Sequence, residues 1–115
     1  MHELSIALNM VDIAAETARK NGARRVETLY MKLGALSGVS KDALSFSWEL
    51  ACAGVAALEG SRLVIEEIPV VVRCAECRRE GALETIGKMV CPNCSAFVST
   101  IVAGRELEIT ALEII

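Results

Sequence analysis

Two closely spaced cysteine pairs constrain this chain more than any other feature of its sequence. The pairs are Cys74 with Cys77 and Cys91 with Cys94, and thirteen residues separate one pair from the other. Two thiolates with a two-residue spacer can bind one ion from a single turn, and this loop can bring the second pair round to complete a tetrahedron. Zn²⁺ prefers four such donors at Zn–S distances of about 2.3 Å. The spacing is slightly shorter than in most zinc ribbons, but it predicts a closed, structural site with no open position for water or substrate.

Other uses of these cysteines stay open from the sequence alone. A rubredoxin-like iron site, two disulfides and a redox switch each use similar pairs. A structural metal, with zinc as the preferred ion, is favoured because paired cysteines in a chain without a secretory signal usually bind metal. The fifth cysteine, Cys52, lies in an apolar stretch with no partner cysteine close in sequence. We interpret it as a buried free thiol that packs like a small hydrophobic residue.

The composition indicates one small domain inside the cell. The 115 residues suffice for a compact domain, and because 53% of them are hydrophobic but only 3% aromatic, its core must be aliphatic. No apolar run reaches the roughly 18 residues that would predict a transmembrane helix. The first residues include Glu3 and Asp12 and lack the basic segment of a signal peptide. We therefore expect a cytoplasmic location, where free thiolates are available for metal.

The charge balance argues against a nucleic-acid-binding protein. The formal net charge is −3, whereas a protein that binds DNA or RNA needs a basic face to neutralise phosphates. The densest basic groups are Arg24 with Arg25 and Arg78 with Arg79, which we interpret as solvated turn residues. We expect no nucleic-acid or membrane partner, and a monomer or a weak homodimer.

Two amphipathic helices are predicted, over residues 4–20 and 41–53. The expected buried face of the first helix, which follows helical spacing, comprises Leu4, Leu8, Val11, Ala15 and Ala18, with Ala7 and Ala14 beside them. That of the second comprises Leu44, Trp48 and Ala51, with Phe46 and Leu50 beside them. Gly22 is expected to end the first helix because glycine tolerates the left-handed conformation there. Ser40 is the expected N-cap of the second helix.

The remaining apolar segments predict strands around the cysteine pairs. The strands are expected over 25–34, 62–72, 97–102 and from 107 onward. Pro69 lies within the second of them, which indicates an edge position or a bulge. Because the cysteine pairs fall between two strands, residues 73–102 are interpreted as an inserted zinc-ribbon-like module. The rest of the chain, 1–72 and 103–115, is predicted to be a small two-layer α+β domain with two helices on a three-stranded sheet.

The single histidine of the chain occupies a position with special metal chemistry. It is His2, and a lone surface histidine usually has no function. Here, however, the α-amine of Met1, the amide nitrogen of His2 and its imidazole can close adjacent chelate rings on one ion, and square-planar nitrogen sets suit Ni²⁺ and Cu²⁺. Glu3 can add its carboxylate or its backbone nitrogen. Such a site requires a free N-terminus with Met1 retained.

The same N-terminal segment begins a wider resemblance to a known family. Met1-His2-Glu3-Leu4-Ser5 at the start of a helix resembles the start of the HypA/HybF family of hydrogenase nickel-incorporation proteins. The resemblance continues through residues 33–39, 44–49, 59–66 and 104–109, with both cysteine pairs between the last two segments. Ser95 departs from the family, in which many members have glycine after the last cysteine, but all four paired cysteines are intact.

This resemblance implies a nickel metallochaperone. His2 would be the nickel ligand, assisted by Met1 and Glu3. The zinc ligands would be Cys74, Cys77, Cys91 and Cys94. The family works with a GTPase partner, HypB, and delivers nickel to the large subunit of NiFe hydrogenase, and some members also serve urease.

The residues themselves favour a carrier over an enzyme. If His2 binds nickel, the chain has no second histidine for a Ser/His/Asp set. It also lacks a phosphate-binding glycine loop, so nucleotide hydrolysis would belong to a partner. We expect nickel transfer by ligand exchange, because a site of backbone nitrogens and imidazole can be dismantled by protonation or by a competing acceptor. Two alternatives stay open: a zinc-ribbon interaction module in which His2 is irrelevant, and a thiol redox sensor.

Overall fold

The structure is a computed structural model that describes residues 2–115. Its elements, in chain order, are helix α1 (Glu3–Lys20), strand β1 (Val26–Gly34), helix α2 (Lys41–Cys52), a 3₁₀ turn (Ala56–Leu58) and strands β2 (Arg62–Ile68), β3 (Val71–Arg73), β4 (Glu80–Ala82), β5 (Thr100–Ala103) and β6 (Leu107–Ile114). The strands form two three-stranded sheets, in the orders β2-β1-β6 and β4-β3-β5. The predicted fold class, two helices with a three-stranded sheet and an inserted cysteine module, is confirmed. No helix among these residues has the length and apolar character needed to cross a membrane.

The chain divides into two compact units. The helical unit contains the described chain up to Lys32 together with Gly38–Glu66 and Glu108–Ile115. The cysteine unit contains Leu33–Ser37 and Glu67–Leu107. The second unit is therefore broader than the predicted module over 73–102, whose capacity to fold or unfold by itself stays a prediction.

In the first sheet, the central strand β1 has one parallel and one antiparallel neighbour. At the start of β1, the hydroxyl of Ser61 donates to the Val26 carbonyl, and beyond its end the Ala35 N–H donates to the Ile68 carbonyl. These bonds join like ends of β1 and β2, so the two strands are parallel and α2 is their crossover. Arg25 and Ile115 exchange backbone bonds at the start of β1 and beyond the end of β6, which makes that pair antiparallel.

The buried face of α1 agrees with the sequence prediction at Ala7, Val11, Ala14 and Ala18 but differs from it at the two leucines. Leu4 and Leu8, expected inside, are 44% and 47% exposed. The buried residues of α1 are Ala7, Met10, Val11, Ala14 and Ala18. The alanines among them also recur at helical spacing. They face the core because small side chains allow the backbone of α1 to pack closely against its neighbours. Gly22 follows the helix with a φ of +67°, as expected.

Helix α2 begins as predicted but leaves two large apolar side chains outside. The hydroxyl of Ser40 accepts a hydrogen bond from the Ala43 N–H at 3.2 Å, which confirms the N-cap. Leu44 and Trp48 are buried, and the indole N–H of Trp48 donates to the Ser61 carbonyl at 3.2 Å. The side chains predicted beside this stripe, Phe46 and Leu50, are 65% and 54% exposed.

Short antiparallel strands organise the cysteine unit. Strand β3 pairs with β4 on one side and with β5 on the other. The strand predicted over 62–72 is divided at Pro69 into β2 and β3, whereas the sequence indicated only an edge position or a bulge at this proline. The strand predicted over 97–102 is wrong at its start, because Phe97 forms only an isolated bridge with Val90 and the paired segment is β5. Strand β4 was not predicted, because its three residues are too few to show an alternation of apolar and polar side chains.

Two glycines allow backbone segments of the cysteine unit to touch. A Cβ atom on Gly34 would lie 2.1 Å from the Gly104 carbonyl oxygen, which is far inside van der Waals contact. Gly104 itself has a φ of +121°, a conformation that other residues rarely adopt. Neither position can accept a side chain without moving the backbone.

Candidate metal centres

Each cysteine pair lies in a turn with the same backbone hydrogen bonds. The Cys74 carbonyl accepts from the Arg78 N–H at 2.8 Å, and the Cys74 N–H donates to the Arg79 carbonyl at 3.0 Å. The equivalent bonds of the second turn, at 2.9 and 2.8 Å, join Cys91 to Ser95 and Ala96. The two turns are therefore copies of one motif that presents two cysteines from a tight loop.

The residue after each pair has a left-handed backbone. Arg78 has a φ of 59° and Ser95 a φ of 64°, and they are the only non-glycine residues with positive φ in the described chain. This conformation costs an L-residue roughly 1–2 kcal/mol, which glycine avoids. The strain gives a physical reason why a glycine suits the position of Ser95.

The four paired cysteines converge on one point. Their Sγ atoms all lie within 4.8 Å of one another. Two distances that cross between the turns, Cys74 to Cys94 and Cys77 to Cys91, are both 3.6 Å. A tetrahedral ion with Zn–S bonds of about 2.3 Å would place its sulfurs about 3.8 Å apart. All five cysteines of the chain are free thiols, so the cluster fits a four-coordinate structural metal site.

The four sulfurs differ in exposure, and the pKa values of Cys91 and Cys94 shift in opposite directions. Cys74 and Cys91 are buried, Cys77 is half-buried and Cys94 is exposed. Desolvation raises the pKa of Cys91, but hydrogen bonds from the Asn93 and Cys94 backbone N–H groups and from the neighbouring thiols outweigh it and lower that pKa to about 6. The Ala96 N–H lowers the pKa of Cys94, yet the other thiols, Cys74 first, and desolvation raise it to about 12. The proton of Cys91 therefore competes weakly with a metal ion, whereas the ion must displace a tightly held proton from Cys94.

Cys52 does not belong to this cluster. It is buried at the end of α2, and desolvation raises the pKa of its thiol to about 11. A thiol that keeps its proton at neutral pH is a poor nucleophile and a poor metal ligand. The structure confirms the predicted buried free thiol.

Of the N-terminal candidate site, His2 is exposed and lies at the start of α1. His2 is the N-cap residue of that helix, and its carbonyl accepts from the Ile6 N–H at 3.1 Å. Met1, the other predicted nickel residue at this end, lies outside the described residues. Among residues 2–115, the only group of three or more potential metal-binding side chains is the cysteine cluster, so no further histidine, cysteine or carboxylate completes a site around His2.

Glu3, the third predicted nickel residue, has a partner that the sequence did not reveal. Its Oε2 accepts a hydrogen bond from the backbone N–H of Ser40 at 3.1 Å. This bond first, and one from its own backbone N–H second, lower the pKa of the Glu3 carboxyl. Sequence patterns could not show this contact, because every residue except proline carries the same backbone donor.

Comparisons with known proteins agree over the full length of the chain. The family model described as "Hydrogenase/urease nickel incorporation, metallochaperone, hypA" matches residues 1–114. The hydrogenase maturation factor HypA of Roseiflexus sp. (strain RS-1) is 49% identical over 113 residues, which cover 98% of this chain and 91% of that protein.

Solved structures support the same assignment at the level of fold. The solution structure of the Ni metallochaperone HypA from Helicobacter pylori has a TM-score of 0.67 at 24% identity and covers 99% of this chain and 97% of its own. A second HypA solution structure has a TM-score of 0.70 at 24% identity, with 100% and 97% covered. With a full-length family match and a relative at 49% identity, the chain belongs to the HypA family of hydrogenase maturation metallochaperones.

Proposed function

We propose that this protein binds Ni²⁺ at its N-terminus and delivers it for the maturation of NiFe hydrogenase. The observation that carries the proposal is the placement of the only histidine, His2, exposed at the first turn of α1. The first N–H groups of a helix have no partner within the helix. The amide nitrogens of His2 and Glu3 can therefore enter a chelate without breaking the hydrogen bonds of α1.

The nitrogen donors available there suit nickel. We assign the α-amine of Met1, the backbone nitrogens of His2 and Glu3 and the His2 imidazole as the ligands, a set that favours square-planar Ni²⁺. The positive end of the α1 dipole opposes a bound cation. Deprotonated amides and the Glu3 carboxylate supply the negative charge that offsets it.

A second metal has a different role in the proposal. The cysteine cluster would hold Zn²⁺ through Cys74, Cys77, Cys91 and Cys94. Four protein ligands leave no position for a substrate, so this ion would stabilise the cysteine unit and would take no part in nickel transfer. With one closed metal site and one exposed terminal site, the chain would act as a carrier and not as an enzyme.

Partners follow from membership of the family. We propose that the chain works with the GTPase HypB in the cytoplasm and passes nickel to the large subunit of NiFe hydrogenase, and that urease maturation proteins are a further group of partners. Release would occur by ligand exchange, because an exposed site of backbone nitrogens and one imidazole is accessible to a competing acceptor. The exposure of His2 supports this step.

The decisive experiment is a nickel titration of untagged, zinc-loaded protein that begins at Met1. The His2→Ala variant should lose specific nickel binding, since His2 is the only imidazole in the chain. Its zinc content and helical circular dichroism should stay unchanged because His2 is exposed. If the variant bound nickel as tightly as the parent, the assignment of the N-terminal site would be wrong.

A neutral leader separates the terminal chelate from a simple side-chain site. A short Gly-Ser extension before Met1 keeps every side chain but converts the terminal amine into an amide. Nickel affinity should fall sharply if that amine is a ligand, while zinc content and helicity are retained. A site made of the His2 imidazole and the Glu3 carboxylate would scarcely respond to the leader.

A further inference from the structure

We propose that Glu3 is a positioning residue whose carboxylate ties the nickel-binding terminus to the first turn of α2. The proposal rests on the proposed function of the N-terminal segment. It assigns the Glu3 side chain to the protein scaffold and leaves only its backbone nitrogen to nickel. The partner in this tie is the backbone N–H of Ser40, which donates to Glu3 Oε2 at 3.1 Å.

The geometry of Ser40 fits it for this task. Its hydroxyl accepts from the Ala43 N–H at 3.2 Å and its carbonyl accepts from the Leu44 N–H at 2.9 Å, so both oxygens hold the first turn of α2. Its own N–H precedes the helix and is directed to Glu3. Helices α1 and α2 pack against each other, and the bond therefore joins the first turns of two neighbouring helices through one carboxylate.

Electrostatics adds to the effect of the hydrogen bond. Glu3 is the first residue of α1, and Ser40 is the N-cap of α2, so the carboxylate lies at the positive ends of two helix dipoles. Without it, a cation at this terminus would face both positive ends. The carboxylate thus holds the terminus in place and lowers the local positive potential.

The tie also reduces the entropy that nickel binding must overcome. Glu3 directly follows His2, so a Glu3 held by Ser40 restrains the backbone next to the His2 imidazole before nickel binds. Preorganising a binding segment raises affinity by reducing the freedom lost on binding. For one ordered side chain on an exposed surface, we expect an effect of about fivefold on the nickel dissociation constant.

Two variants at position 40 isolate the backbone donor. Ser40 has a φ of −79°, which proline can adopt. Ser40→Pro removes both the N–H and the hydroxyl, whereas the matched control Ser40→Ala removes the hydroxyl alone. We expect Ser40→Ala to bind nickel within about twofold of the parent and Ser40→Pro to bind about fivefold more weakly than Ser40→Ala. Equal affinities of the two folded variants would overturn the proposal.

Variants of Glu3 test the same tie from the other side and do not depend on the folding of the proline variant. Glu3→Gln keeps an oxygen that can accept from Ser40, while Glu3→Ala keeps none. Nickel affinity should fall in the order parent, Glu3→Gln, Glu3→Ala. The visible absorption band of the planar nickel complex should keep its position in all three, because the side chain is not a ligand. A band that shifts in Glu3→Ala, or an affinity that does not fall, would overturn the proposal.

The His2→Ala titration separates failure of this inference from failure of the nickel site itself. If His2→Ala binds nickel normally, the assignment of the N-terminal nickel site is wrong, and the bond between Glu3 and Ser40 has no nickel ligand to position. If His2→Ala abolishes binding but the variants at Glu3 and Ser40 change neither affinity nor spectrum, the site stands and the tie is wrong.

Discussion

The two units of this protein differ in the size of the side chains that they bury. The buried side chains of the helical unit include large ones, among them Leu29, Met31, Leu44, Trp48 and Leu58. The buried cluster of the cysteine unit comprises Val70, Val72, Cys74, Cys91 and Val98. Apolar burial scales with the area removed from water, so three valines and two cysteines contribute far less than the larger side chains. The comparison indicates that the cysteine unit has the smaller apolar core, and that a structural metal at its cysteine cluster would add the stability which this core lacks.

The candidate metal sites of the two units differ in exposure and in the type of ligand. The cysteine cluster has two buried, one half-buried and one exposed side chain and offers four ligands to one ion, a closed arrangement. His2 of the proposed nickel site is exposed, and the other ligands proposed there are backbone nitrogens and the α-amine. A closed site suits an ion that stays, and an open site suits one that is transferred.

The largest expected effect is loss of the cysteine unit when its cluster is broken. Cys74→Ala should abolish zinc binding and unfold roughly residues 73–102, because metal binding at structural sites contributes about 10–16 kcal/mol that this small core cannot replace. The helices should keep their amide protection. Zinc analysis and amide hydrogen exchange measure both effects.

The matched control for that variant is Cys52→Ala. It deletes a buried thiol that is not in the cluster, and it should leave zinc content unchanged. Normal exchange protection over residues 73–102 in zinc-free Cys74→Ala would show that the module does not depend on its metal. Exchange that spreads through Glu67–Leu107 would show that the whole compact unit unfolds together.

A core substitution in the helical unit is expected to have the next largest effect. Leu44 is fully buried, and Leu44→Ala should lower the free energy of unfolding of this unit by about 2–5 kcal/mol through lost burial and a cavity. Leu50→Ala, on the same helix but at a side chain that is 54% exposed, should change it by about 0.5 kcal/mol or less. Urea unfolding followed by Trp48 fluorescence measures the difference. Loss of zinc from Leu44→Ala would contradict the expectation that the cysteine unit binds its metal without support from the apolar core of the helical unit.

A smaller, stabilising change is expected at the second cysteine turn. Ser95→Gly should stabilise the cysteine unit by about 1 kcal/mol, because glycine adopts the φ of 64° without steric cost. Ser99→Gly serves as the control, since Ser99 is not in the left-handed region. The rate of zinc loss to a chelator should fall in Ser95→Gly and not in Ser99→Gly. A faster loss from Ser95→Gly would argue that the serine side chain has a role of its own.

The smallest expected effect comes from an exposed hydrogen bond of the first sheet. The Tyr30 hydroxyl donates to Glu113 Oε1 at 2.6 Å, and this bond lowers the pKa of Glu113 and raises that of Tyr30. A lowered carboxyl pKa contributes stability that is lost as the pH falls through it. A raised phenol pKa contributes stability that is lost as the pH rises through it.

The midpoint of thermal unfolding tests this pair. Tyr30→Phe should melt slightly below the parent at neutral pH and level with it once Glu113 is protonated. Because both groups are exposed, the difference at neutral pH should be small. A difference that persists in acid would mean that packing of the hydroxyl, and not the carboxylate, is responsible.

Much of this protein could be predicted from residues that are close together in the sequence. The order of helices and strands, the cap at Ser40 and the turn at Gly22 depend on local periodicity and backbone preference, and all are present. The convergence of the four cysteines follows from short spacers within each pair. These features are readable because the physical constraint acts within a few residues along the chain.

Tertiary structure decided which face of α1 is buried, where a short strand forms and which distant residues are in contact, and local sequence patterns did not indicate these features. Helix α1 carries apolar residues on more than one face, and packing selected Ala7 and Ala14 over Leu4 and Leu8 because close approach favours small side chains. Strand β4 exists only because β3 lies beside it. The bond from Ser40 to Glu3 joins residues 37 positions apart through a backbone N–H that almost every residue carries. Such contacts depend on where the folded chain brings two segments together, and residue identity alone does not specify that position.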